Sequence, residues 1–124
     1  MTAGTIITLV DSLMPNQYSD ADKLRWLGTL DRQIYIETVN YHVDDVSDND
    51  DTLDISLEST DVLLVPDVYG YDIYVPYLEA RIDEANGEIA KYNNHMALYA
   101  AGYQAYRNWY NRYHQPYNYG GLRW

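Results

Sequence analysis

Residues 78–113 read LEARIDEANGEIAKYNNHMALYAAGYQAYRNWYNRY. Within them Leu78, Ile82, Ala85, Ile89, Tyr92, Met96, Tyr99, Tyr103, Tyr106, Tyr110 and Tyr113 follow one another in alternating steps of four and three. Side chains recurring in that way share one side of an α-helix. The stripe therefore predicts a helix over about 72–114. Pro76 is tolerated if it falls in the first turn, where no intrahelical N–H partner is lost, and Pro116 marks the far end. Gly87, Gly102 and Asn93-Asn94 weaken the run, each glycine by about 1 kcal/mol. A break near Asn94, giving a helix pair, is the alternative. The unbroken phase favours one helix. At 1.5 Å per residue, about 37 residues reach about 55 Å, against about 35 Å for a compact chain of this size. A helix that overhangs its own domain exposes a row of tyrosines, which points to self-assembly or docking.

Outward from that stretch, Ile6, Val10 and Leu13 are spaced for a first helix that Pro15 stops. Ser19, with Asp22 three residues on, signals a second start. Leu24, Leu27, Leu30 and Ile34 carry that helix to about Val39. Residues 42–61 hold eight acids and no Lys or Arg, so their first half reads as a solvated loop. Leu53, Ile55 and Leu57 then alternate with polar residues and precede the apolar run Val62 to Val65, a pattern for a short β-hairpin. The expected fold is mainly α: a small helical bundle in one domain over 1–116. It has an acidic loop or hairpin at 42–66, one long C-terminal helix or helix pair, and a flexible or docking tail at 117–124.

The chain has 124 residues, with 8 Lys and Arg against 19 Asp and Glu, a formal charge of −11. General duplex-DNA binding is disfavoured, because phosphate affinity comes from clustered bases. The absence of Cys excludes disulfides, thiolate metal sites and Cys nucleophiles. Leu, Ile and Val together number 28, and 15 Tyr and 3 Trp supplement that modest aliphatic core. No apolar run approaches a membrane span, so a soluble, non-membrane protein is expected. The charge is uneven. Residues 1–76 carry 15 acids and 3 bases, whereas residues 77–124 carry 4 acids and 5 bases, with no acid beyond Glu88. An acidic body with a Tyr/Arg end suits pairing of copies head to side, the geometry of rings.

No catalytic signature stands out. EF-hand registers started at Asp48 or Asp50 put Leu53 or Ile55 where glycine is needed, so calcium is not expected. His42, His95 and His114 are too scattered for a metal pair. Neither Ser19 nor Thr60 sits in a nucleophile elbow or phosphate loop. A non-enzymatic protein without cofactor or metal is expected.

Three stretches nevertheless carry a resemblance. Met14-Pro15-Asn16-Gln17-Tyr18-Ser19 with Lys23-Leu24-Arg25-Trp26-Leu27 is one. Leu64-Val65-Pro66-Asp67 leading to Tyr77-Leu78-Glu79-Ala80 and Asn86-Gly87-Glu88 is the second. Tyr92-Asn93-Asn94-His95-Met96 with the aromatic residues to His114 is the third. Together they resemble head–tail connector, or head-completion adaptor, proteins of tailed phages and prophages. The resemblance implies a virion protein, assembled in the bacterial cytoplasm and located at the head–tail interface. Its copies would form a ring, dodecameric if it shares the portal's symmetry, between the portal and the next neck or tail protein. DNA would pass through without specific binding. On that expectation Tyr92, Met96, Tyr99, Tyr103, Tyr106 and Tyr110 form the contact between copies. Tyr117, Tyr119, Leu122 and Trp124 dock on the portal, and Asp44, Asp45, Asp48, Asp50 and Asp51 face the channel or the neck. A phage-encoded DNA mimic that inhibits a nucleic-acid-binding protein is the competing expectation for so acidic a chain.

Overall fold

The two N-terminal helices begin where a hydroxyl takes up an unpaired backbone N–H. Thr2 Oγ1 accepts from the Thr5 N–H at 3.2 Å ahead of α1 (Ala3–Leu13). Ser19 Oγ accepts from the Asp22 N–H, also at 3.2 Å, ahead of α2 (Asp20–Ile34), and Asp20 and Asp22 favour its positive end. Between them, Asn16 Oδ1 accepts from the Tyr18 N–H while its amide donates to the Met14 carbonyl and to Asp11, fixing the corner. A π-helical turn, Tyr35–Val39, prolongs α2. The computed structural model describes residues 1–39 and 57–113. Over these residues the chain is a helical bundle, completed by α3 (Asp67–Asn86) and α4 (Ile89–Tyr113).

The long helix expected over 72–114 is a helix pair, and its break falls at Gly87 instead of near Asn94. Gly87 adopts φ +79°, a left-handed conformation available to glycine without a Cβ clash. Its N–H donates to the Glu84 carbonyl (3.1 Å) and the Glu88 N–H to the Asp83 carbonyl (2.9 Å), the Schellman closure of a helix end. The chain then doubles back. Asp83 meets His95, Tyr77 meets Tyr99, and Tyr69 meets Tyr106 and Trp109, so α3 and α4 run antiparallel. An unbroken repeat reports which side of a helix is covered, and a hairpin covers the same side twice. The 25 residues of α4 span about 38 Å and lie along α3 instead of overhanging the domain.

Helix α3 starts at Asp67, five residues before the expected position, so Pro76 lies well inside it. With no N–H, Pro76 leaves the Asp72 carbonyl without its intrahelical donor. Gly102 of α4 sits against that carbonyl. A Cβ built there would overlap the Asp72 carbonyl oxygen and lie 2.9 Å from its carbon. The missing side chain at 102 thus permits close approach of the two backbones where the proline interrupts α3.

The core gathers Ile6, Ile7 and Val10 from α1, Leu27, Leu30 and Ile34 from α2, and Ile73, Leu78 and Ile82 from α3. Each such side chain contributes about 1.5–3 kcal/mol by leaving water. Leu63 and Val65 add to it from the segment before α3, which acts as a strap. The Asp61 and Ser59 carbonyls accept from the Ala3 and Gly4 N–H groups at 3.0 and 2.8 Å, and the Leu63 N–H donates to the Met1 carbonyl. Val62 makes an isolated antiparallel bridge with Thr2. Among the described residues the run Val62 to Val65 therefore pairs with the N-terminus. Of its expected hairpin partner at 53–57, only Leu57 is described.

Candidate interaction surface

A polar joint holds the strap in place. Asp31 Oδ2 accepts from the Leu64 N–H at 3.0 Å and Oδ1 from the Tyr74 hydroxyl; that hydroxyl in turn accepts from the Val65 N–H at 2.9 Å. Burial pushes the Asp31 carboxyl above the usual carboxylate range despite these bonds. Burial, reinforced by the Asp31 charge, pushes the Tyr74 phenol far up. A second joint lies between α1 and α2. Lys23, only 2% exposed, places its ammonium 2.7 Å from Asp11. Burial pushes the Asp11 carboxyl up, but the hydrogen bonds from Lys23 and Asn16 and the Lys23 charge hold it below its usual value.

A third joint clasps α3 to α4. His95 Nδ1 lies 2.5 Å from Asp83 Oδ2, and Nε2 lies 3.5 Å from Glu79 Oε1. Asp83 is fully buried, and burial raises the Glu79 carboxyl. The two carboxylates address opposite nitrogens of the ring, so they do not converge on one ion. Among the described residues no group of three His, Asp or Glu side chains could hold a metal. A shallow groove of about 790 Å³ beside α1 is lined by Thr2, Thr5, Thr8, Ser12, Ser59 and Asp20, among others. Thr2 and Thr5 bond each other there, and Ser12 donates to the Leu9 carbonyl.

The aromatic residues form the most extended surface feature. Tyr106 is 2% exposed and belongs to the core; Tyr99, Tyr103 and Tyr110 pack against it, half-buried. Tyr99 stacks on Tyr103 with ring centroids 6.0 Å apart and leans on Tyr77 at 5.3 Å. The Tyr103 hydroxyl lies 3.0 Å from that of Thr38 and donates to Glu37, tying α4 to the π-helical turn. Burial and neighbouring phenols push Tyr99 and Tyr106 well above the usual tyrosine value. Arg107 stands over the Tyr103 ring at 5.9 Å.

Of the residues expected between copies, then, Tyr99, Tyr103, Tyr106 and Tyr110 line one side of α4 and turn toward their own bundle. Tyr92 and Met96 lie half-buried nearer the turn. The expected portal residues Tyr117, Tyr119, Leu122 and Trp124 lie outside the described residues. So do the acids Asp44, Asp45, Asp48, Asp50 and Asp51, and the histidines His42 and His114.

The opposite side of α4 has a second register of the same spacing. Ala90, Asn94, Ala97, Ala101, Gln104 and Asn108 are all exposed, with Leu98 exposed beside them. Small and amide side chains in steps of four and three are the available sequence signal, eclipsed by the tyrosines in the same helix. Among the described residues no helix is long and apolar enough to cross a membrane. Comparison of the chain with protein-family models, with curated proteins and with solved structures gives no match.

Proposed function

We propose that this chain is a non-enzymatic head–tail connector of a tailed phage or prophage, joining the portal to the neck or tail and extending the DNA channel. One observation carries the reading: several residues of the connector resemblance take part in the joints of the bundle. Asn16 and Ser19 form the α1–α2 corner, and Tyr18 donates to Asn86 at 2.6 Å beside the α3–α4 turn. Val65 is clamped by Tyr74, Asn86-Gly87-Glu88 makes the turn, and His95 clasps Asp83. A resemblance seated at joints is one of scaffold, and the connector reading extends it to role.

The charge layout supports the same reading. In a ring around DNA, the acids between Asp44 and Asp61 would repel phosphate and let the genome slide without adhering. The acid-free C-terminal part would face protein. The portal would be gripped by the tail around Trp124.

Electron microscopy of the folded chain mixed with its cognate portal tests the proposal. An added ring of density beneath the portal is expected, and a bare portal would rule the role out. A truncation after Gly121 is expected to weaken portal binding, and unchanged binding would remove the tail from that interface. Inhibition of a nucleic-acid-binding enzyme by the isolated chain, with no portal binding, would favour the DNA mimic.

A further inference from the structure

Two exposed faces of this chain are complementary and lie on different elements. One is the outward side of α4, where Leu98 is 59% exposed beside the uncharged register from Ala90 to Asn108. The helix carries Lys91, Arg107 and Arg112 and no acid. Lys91 shares its charge with Glu88 at 3.3 Å, an exposed pair of the weak, exchangeable kind. The other face surrounds the start of α3. Val62, Leu64, Val68 and Tyr71 are 74%, 37%, 78% and 41% exposed, within ten residues of one another. Glu58, Asp61, Asp67 and Asp72 belong to the same stretch, Asp67 being paired with the Met1 ammonium at 2.6 Å, and residues 33–80 contain no Lys or Arg.

We infer that the outward face of α4 docks on the apolar, acid-rich start of α3 in a second copy of this chain. Charge selects that partner. Two α4 faces laid together would set Lys91 and Arg107 against their own kind, with Lys91 partly relieved by Glu88. The start of α3 offers carboxylates and large apolar side chains instead, and like charges brought together in an interface are costly. The alanines let a partner element approach α4 closely, and Leu98 supplies the apolar anchor. A contact between two different faces passes from copy to copy and closes into a ring when its rotation allows. The inference rests on the self-assembly in the connector reading, and it does not need the portal.

Two surface variants test it in the full chain: Leu98→Glu, which puts an acid on the acid-free face, and Val68→Lys, which puts a base among the acids. Circular dichroism checks folding, and sedimentation velocity over a range of concentrations reads association. The wild type is expected to associate with rising concentration. Each variant alone should associate at least about tenfold more weakly, equivalent to about 1.4 kcal/mol. Mixing the two should restore association, because the intact α4 of one meets the intact α3 of the other.

A wild type that stays monomeric at every concentration overturns the inference, as do folded variants that associate like the wild type. Loss in Leu98→Glu without recovery on mixing also overturns it, in favour of α4–α4 pairing. The connector role stands or falls separately. A Leu98→Glu ring beneath the portal refutes the docking faces alone, and a bare portal with normal self-association refutes the connector alone.

Discussion

The two sides of α4 are written in the same steps of four and three, yet they meet opposite fates. Inward, Tyr99, Tyr103, Tyr106 and Tyr110 lean on α3 and the end of α2. Outward, Ala97, Ala101, Gln104 and Asn108 stand in solvent. Spacing therefore tells which residues share a side, while side-chain size and chemistry tell which side the bundle covers. Large amphipathic rings bury area and still find partners for their hydroxyls. Alanine and the amides have little to gain from this core.

The sharpest way to break the contrast is to truncate one residue on each side. Tyr106→Ala should cost about 3–5 kcal/mol, the range for removing a buried ring, whereas Asn108→Ala should stay within about 0.5 kcal/mol. Urea midpoints of the two variants check this, and similar costs would mean that the sides are not differentiated as described.

Adding a methyl group gives the next largest effect. Gly102→Ala should destabilise by about 1–3 kcal/mol, as overpacking does, because its Cβ overlaps the Asp72 carbonyl. Ala101→Ser, one residue away and exposed, should be near neutral. Thermal melts of the pair read the difference directly.

Away from α4, the Asp31–Tyr74 joint sharpens the comparison of covered with open polar groups. Tyr74→Phe leaves the Val65 N–H without its acceptor and Asp31 Oδ1 without its donor, at a cost of about 1–3 kcal/mol. Denaturation of Tyr74→Phe against wild type measures it, and a negligible loss would mean that water replaces the hydroxyl.

The smallest effect is one of pH. The folded-state pKa of Asp31 is raised above its ordinary 3.8, chiefly by burial. The fold therefore holds that proton more tightly than the unfolded chain does. The resulting stabilisation is fully present below 3.8 and is lost as the pH rises through the raised folded value. Asp31→Asn should flatten that part of the stability–pH curve, as denaturation at a series of acidic pH values would show.

Much of the bundle was legible in local pattern. Pro15 and Ser19 delimit α1 and α2 as expected, because proline and hydroxyl caps act on the backbone within one turn. Asn86-Gly87 ends α3, although the stripe passes through it in phase; a left-handed glycine closes a helix whatever the periodicity around it. Pro76 misled differently. It lies inside α3, where the close approach of Gly102, 26 residues on, accommodates the interruption. The tyrosines of the candidate site were visible as a row, but nothing in their spacing told whether the covering surface belongs to the same copy.

By itself, then, the sequence determined that this protein is helical, where its first two helices begin, and that its acids and aromatics are segregated along the chain. Those properties arise from contacts within a few residues. Only the tertiary structure decided that the C-terminal stripe folds back on α3, that Val62 bridges to Thr2, and that Tyr106 belongs to the core while Leu98 does not. Each of those depends on which distant surface fills the space beside a residue, and burial is a property of the pair.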